Sequence, residues 1–297
     1  MITYVTRKNI DIIKYDACIQ NSINSRVYAL SYYLDIVADN WDALILDNYK
    51  AVMPLPWRSK YFIKYIYPPC WTQQLGVFST NKLDISLIDN FIKAIPKKFL
   101  KTTIQFHSNN YSDLFLKKDN YILDLNHSYE ELHKNYRKDR KDRLKKFNKS
   151  ECTLEKNISA KKITTLFKEN YTNELNINLQ DYRRLEQLAT TKKLTPITLG
   201  VFDKERQLIS GSLFFKDANR IYYVFSANNK KGNKVQGNTA VLNHIIQTYA
   251  NTNYTLDFEG SMHPGIASFF KSFGSKMEAY YLLTKLPIDS FLSSLKK

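Results

Sequence analysis

Two carboxylates, Asp257 and Glu259, alternate with apolar Leu256 and Phe258 in the segment 254–259. This alternation predicts a half-buried strand ending in polar groups. Gly260-Ser261 breaks the pattern, and His263-Pro264-Gly265 sets up a helix start. Ile266, Phe269, Phe270 and Phe273 then recur on one helical face, with Lys271 among them and Gly274 at the end. A further strand, 278–283, carries Tyr280 and Tyr281. A carboxylate at a strand end can take a proton, an ammonium can stabilise an oxyanion, and a phenol can protonate a leaving group. Asp257, Glu259, Lys271 and Tyr280 are therefore candidate catalytic residues. The alternative is a surface-facing strand beside an ordinary amphipathic helix.

A second group of candidates could hold an anion. A strand expected at 220–225 leads through SANNKKGNKVQGNTAVLN into a helix expected at 237–250. Gly232 and Gly237 have the spacing of a P-loop, but Asn238 stands where its lysine would be. That excludes a nucleoside triphosphatase of this type. A helix N-terminus still presents amides at Gly237, Asn238 and Thr239, with Lys234 nearby, and such an end favours an anion. A capped polar turn is the alternative. Upstream, Ser128 and Glu131 form a capping box before a strongly basic segment. From Lys134 to Lys149 there are nine basic and two acidic residues. Tyr136, Arg140, Leu144 and Phe147 make a narrow stripe able to pack, while Arg137, Arg140 and Arg143 are expected to face an anionic partner. The run has no interleaved aromatics, so reading of bases is not expected. Trp71, Gln73 and Gln74 form a third cluster, in a loop after Pro68-Pro69.

The elements that must position these groups come in a repeated order. In the first half, strands are expected at 2–5, 41–46, 50–56, 61–67, 101–106 and 121–125, with helices at 11–21, 28–38 and 86–95 and a short one near 113–117. In the second half, helices are expected at 160–175 and 181–192. Strands at 196–202, 208–215, 220–225, 255–258 and 278–283 alternate with the helices described above. ALILDNYKAVMPL matches LGVFDKERQLISG, and LFLKKDNYILDL matches SFFKSFGSKMEAYYLL. Asp47 and Asp203 lie 156 positions apart, and Tyr121 and Ala279 lie 158 apart. A near-constant offset predicts a duplicated α/β (α+β) unit. The expected units are 1–125 and 126–297, the second entered by the basic helix.

Composition narrows the classes. With 297 residues, 43% of them hydrophobic and 14% aromatic, the chain can bury two cores. A net charge of +16 favours anionic partners. Three scattered cysteines give no zinc spacing and no disulfide framework, and no H-E-x-x-H is present. No metal site is expected. No secretory signal and no apolar run long enough to span a bilayer are visible, so a cytoplasmic protein without a transmembrane segment is expected.

Three segments resemble the GNAT superfamily of acyltransferases, and within it the FemABX-like peptidyltransferases built from two GNAT-like halves. They are NYRKDRKDRLKKFNKSECTLEK, GNKVQGNTAVLNHII and LDFEGSMHPGIASFFKSFGS. The last is similar to the family ending D-F-x-G-S…G-I…F-x-K-x-F-G at Asp257, Gly260, Gly265, Phe270, Lys271, Phe273 and Gly274. The resemblance implies two tandem GNAT-like units, each a twisted, mostly antiparallel sheet flanked by helices. It also implies transfer of an acyl group from acyl-CoA or aminoacyl-tRNA, as a co-substrate and not a permanently bound cofactor, to an amine or hydroxyl. The acceptor would be a nucleotide-linked or cell-wall precursor. The family's coenzyme A loop, [QR]-x-x-G-x-[GA], is absent from Asn233–Asn238. A non-catalytic RNA- or anion-binding protein on a degenerate GNAT scaffold is the alternative.

Overall fold

A computed structural model describes residues 1–171, 177–260 and 262–286. In chain order the first elements are β1 (Ile2–Thr6), α1 (Ile12–Gln20), α2 (Ser31–Val37), β2 (Asn40–Leu46), β3 (Ala51–Lys60), β4 (Ile63–Ile66), β5 (Phe78–Ser79), α3 (Ile85–Lys93) and β6 (Phe99–Phe106). Then come β7 (Leu116–Asp124), α4 (Tyr129–Lys134), α5 (Lys138–Asn148), β8 (Thr153–Lys156), α6 (Ala160–Asn170), α7 (Leu179–Leu188), β9 (Thr195–Phe202), β10 (Leu208–Lys216) and β11 (Arg220–Asn228). The chain ends with α8 (Lys230–Val235), α9 (Gly237–Tyr249), β12 (Thr255–Asp257), α10 (Pro264–Lys271) and β13 (Lys276–Lys285).

These elements form two compact units. One contains Met1–Lys118 and the chain from Ala279 onward; the other is Asp119–Glu278. The division thus falls at 118/119, where the sequence suggested 125/126, and the C-terminal strand belongs to the first unit. In the first unit β1, β2, β3 and β4 pair antiparallel in turn, β4 pairs β6 parallel, and β13 adds antiparallel to β6. In the second, β8, β9, β10 and β11 pair antiparallel, β11 pairs β12 parallel, and β7 adds antiparallel to β12. The order of strands and the sense of every pairing are the same. Asp47 and Asp203 sit in the corresponding hairpin turns, β2–β3 and β9–β10. The segments around β7 and β13, which match in sequence, fill equivalent positions in exchanged units.

Each unit buries its own core. In the first, Leu44, Met53, Leu55, Phe91 and Phe106 pack with Leu283. In the second, α9 supplies Val241, Leu242, Ile245 and Ile246 against Phe214, Ile221, Leu256 and Phe258. The predicted capping box starts α4: Ser128 accepts from the Glu131 amide at 3.2 Å, and Glu131 accepts from the Ser128 amide at 3.1 Å. The basic segment is not one helix. It breaks at Asn135–Arg137 and resumes as α5. No helix forms near 113–117, where β7 already begins. The expected helix 160–175 ends at Asn170, and its last positions lie outside the described residues.

Candidate functional site

The carboxylate of Asp257 is wholly buried at the end of β12. Its Oδ2 accepts from Arg220 Nη1 at 2.6 Å, and Oδ1 accepts from Asn120 Nδ2 and the Glu259 amide, both at 2.9 Å. Arg220 also reaches Glu278 at 3.0 and 3.3 Å. Burial pulls the Arg220 guanidinium down, but the two carboxylates outweigh it and hold the group above the ordinary arginine range. Asp257 therefore sits in a satisfied ion-pair network, and its proton-accepting oxygens are occupied. Arg220 could be suspected from sequence as a lone cation opening an apolar strand, RIYYVF, but nothing there pairs it with Asp257.

Of the other expected catalytic groups, Glu259 meets Asp257 through its backbone amide. Glu259 follows in a left-handed backbone conformation, φ 57°, half-buried. Lys271 is exposed at the end of α10, with its ammonium 5.3 Å from the Tyr121 ring centroid. Tyr280 belongs to the first unit, not to the unit that holds the other three. Trp71, Gln73 and Gln74 are also in the first unit. The Trp71 carbonyl accepts from the Tyr33 hydroxyl, and Gln74 is buried and donates to Gln73 at 2.7 Å.

The anion-binding candidates do come together. A cleft of about 340 Å³ in the second unit is walled by the α8–α9 junction from Gly232 to Thr239, by Arg143 of α5, Asn228 of β11 and Phe269 of α10. Its walls carry no acidic side chain. Gln236 joins the two helices in a left-handed conformation, φ 68° and ψ 41°, and gives α9 no side-chain cap. Gly237 and Asn238 are the first residues of α9, and the Thr239 amide that follows already donates to the Gln236 carbonyl at 3.0 Å. The Asn238 side chain turns back to Ser210 at 3.1 Å. Lys234 is exposed in the last turn of α8 and is not part of the wall. The glycine spacing has a packing cause. A Cβ at Gly232 would lie 2.0 Å from the Ile209 carbonyl oxygen, and one at Gly237 would lie 2.5 Å from the Ser210 Cβ. The two glycines let α8 and α9 lie directly on β10.

Arg140 stands behind this wall. It is 2% exposed, so of its two expected placements, on the packing stripe and on the surface facing a partner, the packed one holds. Nε donates to the Ser272 hydroxyl at 2.7 Å, and Nη1 donates to Thr239 Oγ1 at 2.5 Å. The guanidinium carbon lies 4.4 Å from the Phe269 ring centroid and 5.0 Å from that of Phe273. Its partners are all neutral, and Nη2 has no hydrogen-bond partner among the described residues. Burial first, and then repulsion from Arg143, pushes its pKa down to about 10, against the opposing pull of the Asp139 carboxylate. The predicted stripe Tyr136–Arg140–Leu144 is buried as expected, so Arg140 faces inward because its stripe does. Arg137 stays exposed, held by Asp139 at 3.0 Å and by Ser268 at 3.1 Å. Arg143 reaches the Gln236 side-chain oxygen at 3.2 Å.

β11 completes the setting. It pairs with β12 only from Arg220 to Tyr222 but runs on to Asn228. Beyond Tyr222 no strand lies on that side of it among the described residues. The cleft opens at the far end of this stretch. A second opening, about 400 Å³ in the first unit, is less suited to an anion. Its Arg7 is held by Asp35 at 2.8 and 2.7 Å, and Asp42 takes the Trp57 indole N–H at 2.7 Å. Among the described residues there is no metal-binding group of His, Cys, Asp or Glu, and no helix long and apolar enough to cross a membrane.

Two units of this strand order, each with its parallel pair beside a crossover helix, make a tandem GNAT-like fold of the FemABX kind. Among solved structures the chain is similar to FemX, at 13% identity and a TM-score of 0.64, over 92% of this chain and 96% of that one. It is also similar to the C-terminal DUF2156 domain of a putative lysylphosphatidylglycerol synthetase from Agrobacterium fabrum, at 8% identity and a TM-score of 0.59, over 96% and 95%. A tandem GNAT protein from the clavulanic acid biosynthesis pathway aligns at 10% identity and a TM-score of 0.52, over 95% and 97%. No family model matches the sequence, and no curated protein matches it. The likeness is one of fold.

Proposed function

We propose that the protein is an acyl- or aminoacyltransferase whose second unit holds the anionic part of an activated donor at the start of α9. The observation that carries this reading is Arg140: a buried cation that no carboxylate hydrogen-bonds, one side chain behind a helix N-terminus without a side-chain cap. A phosphate in the cleft would meet the α9 amides and the Arg143 fork, with the Arg140 charge behind them. The fold similarity to acyltransferase-type structures supports the reaction class. In the reaction a neutral acceptor amine or hydroxyl attacks the donor carbonyl. A C–N or C–O bond forms, the donor ester or thioester bond breaks, and the acceptor proton ends on the leaving oxygen or sulfur. The occupied state of Asp257 argues that this proton moves through water or substrate groups and not through that carboxylate. The donor is acyl-CoA or an aminoacyl-tRNA. The acceptor is an amine- or hydroxyl-bearing molecule, of which nucleotide-linked and cell-wall precursors are the first to test.

The same state of Asp257 favours a second reading, a non-catalytic anion- or RNA-binding protein. Single-turnover assays with radiolabelled aminoacyl-tRNA pools and with acyl-CoA, each with amine acceptors, separate the two. Donor-dependent product that falls in Arg143→Gln supports transfer. Tight, salt-sensitive binding of RNA without product supports the binder.

A further inference from the structure

The β3–β4 turn belongs to the first unit and lines no part of the α8–α9 cleft. Lys60 pairs with Ile63, so only Tyr61 and Phe62 form the loop. Both are left-handed, with φ of 49° and 64°. A two-residue hairpin loop with positive φ at both positions is ordinarily built from Asn-Gly or a similar pair, because bulky side chains are strained there. This loop instead carries two aromatic rings, with 83% and 102% of their reference surfaces exposed. Ile63 and, where β4 meets β6 at a register shift, Leu100 are also exposed. Lysines lie near these groups, with Lys60 Nζ 5.4 Å from the Tyr61 ring centroid, Lys64 Nζ 4.8 Å from that of Trp57, and Lys98 donating to the Tyr4 hydroxyl at 2.7 Å. Lys60 and Lys64 flank the loop, Lys101 pairs opposite Tyr65, and Lys97 and Lys98 precede β6. No acidic residue occurs in 57–67 or in 96–106.

We propose that this turn is a membrane-docking tip that inserts Tyr61 and Phe62 into an anionic lipid surface. The inference is independent of the acyl-transfer reading. Aromatic rings and aliphatic groups enter the boundary between headgroups and acyl chains, while surrounding ammonium groups meet lipid phosphates. The arrangement suits a lipid better than a nucleic acid. Ile63 and Leu100 are exposed beside the two rings and have no face on which a base could stack, whereas both can enter an acyl boundary. Strain at an exposed tip points the same way, because such outliers persist where function requires the side chain.

Sedimentation with phosphatidylcholine vesicles, with and without phosphatidylglycerol, tests the proposal. The wild-type chain should pellet only with the anionic vesicles. Tyr61→Asn with Phe62→Gly installs the residues that the turn prefers, so the variant should keep or raise its Tm while its partition falls on the order of 10²-fold. Lys60→Gln and Lys64→Gln should each reduce partition roughly fivefold. Phe62→Trp should add an indole emission that shifts to the blue on vesicles and is quenched by brominated lipid. A wild-type chain that ignores anionic vesicles overturns the proposal. So does a variant lacking both rings that binds as well as wild type, or a tip that proves instead to shift single-stranded RNA or to dimerise the chain.

Discussion

Arg220 and Arg140 are both buried in the second unit, and they differ in what surrounds them. Arg220 meets Asp257 and Glu278, so its charge is neutralised within the chain. Arg140 meets two hydroxyls and two phenyl rings, so its charge is solvated but not neutralised. Asp139 acts on it only through space, and a buried cation without a hydrogen-bonded counter-charge is costly. The first arginine is matched within the chain; the second is the one on which the proposed anion site rests. The same contrast recurs between the crossover helices of the two units. In the first, α3 starts at Asp84, whose carboxylate accepts from the Leu87 amide at 2.7 Å, so this helix N-terminus carries its own anion. In the second, α9 starts at left-handed Gln236 with no side-chain cap, beside Arg140 and Arg143. The crossover helices of the two units thus start differently, α3 with a carboxylate cap and α9 without a side-chain cap.

The largest effect should come from Arg220→Met. It leaves Asp257 and Glu278 without their cation, and breaking a buried pair in this way typically costs about 3–5 kcal/mol. Urea unfolding will measure it; a loss below about 1 kcal/mol would mean that the network is not structural. Next, Gly237→Ala should destabilise by about 1–3 kcal/mol, because its Cβ overlaps Ser210. A stable Gly237→Ala protein would show that α9 can move off β10. Asp84→Ala removes the α3 cap and should cost about 1 kcal/mol with donor binding unchanged. If donor affinity changes, the first unit contributes to the site. Arg143→Gln should have the smallest effect on stability, within about 0.5 kcal/mol, since this side chain is half exposed. It should nevertheless weaken donor binding, and more so at low salt.

Most of the fold was legible. The positions of β9, β10, β11, α9, α10 and β13 follow from their apolar content, its spacing and the turn residues between them, although β10 and β11 are buried along nearly their whole length. The repeat offset identified corresponding elements, but local pattern carries no record of the exchange of β7 and β13. That exchange also explains why the units divide where they do. α8 was read as a polar loop because KKGNKV has no apolar stripe. Its helix is instead stabilised by close approach to β10 at Gly232 and by the Asn229 side chain, which accepts from the Gly232 amide at 2.9 Å. The site was half legible. Gly237, Asn238 and Thr239 could be placed at a helix start, and the stripe placed Arg140 on a packed face. Asp257 and Lys271 have residue types suited to chemistry, but their partners, Arg220 and Tyr121, are distant in sequence and no spacing rule connects them. Gln236 and Asn228 reach the cleft through backbone geometry alone.

The central claim is that Arg140 waits for the donor's phosphate. Calorimetric titration of coenzyme A and of aminoacyl-tRNA into wild type and Arg140→Met, with Tm measured on the same samples, tests it most directly. Met can lie between Phe269 and Phe273, and the substitution leaves no buried carboxylate unpaired, so Tm should change little. At least one donor should bind wild type and lose on the order of 10-fold to 10²-fold in affinity in the variant, as removal of a charged hydrogen-bonding group does. Equal affinity in both proteins, or loss of affinity only in step with loss of fold, would contradict the account.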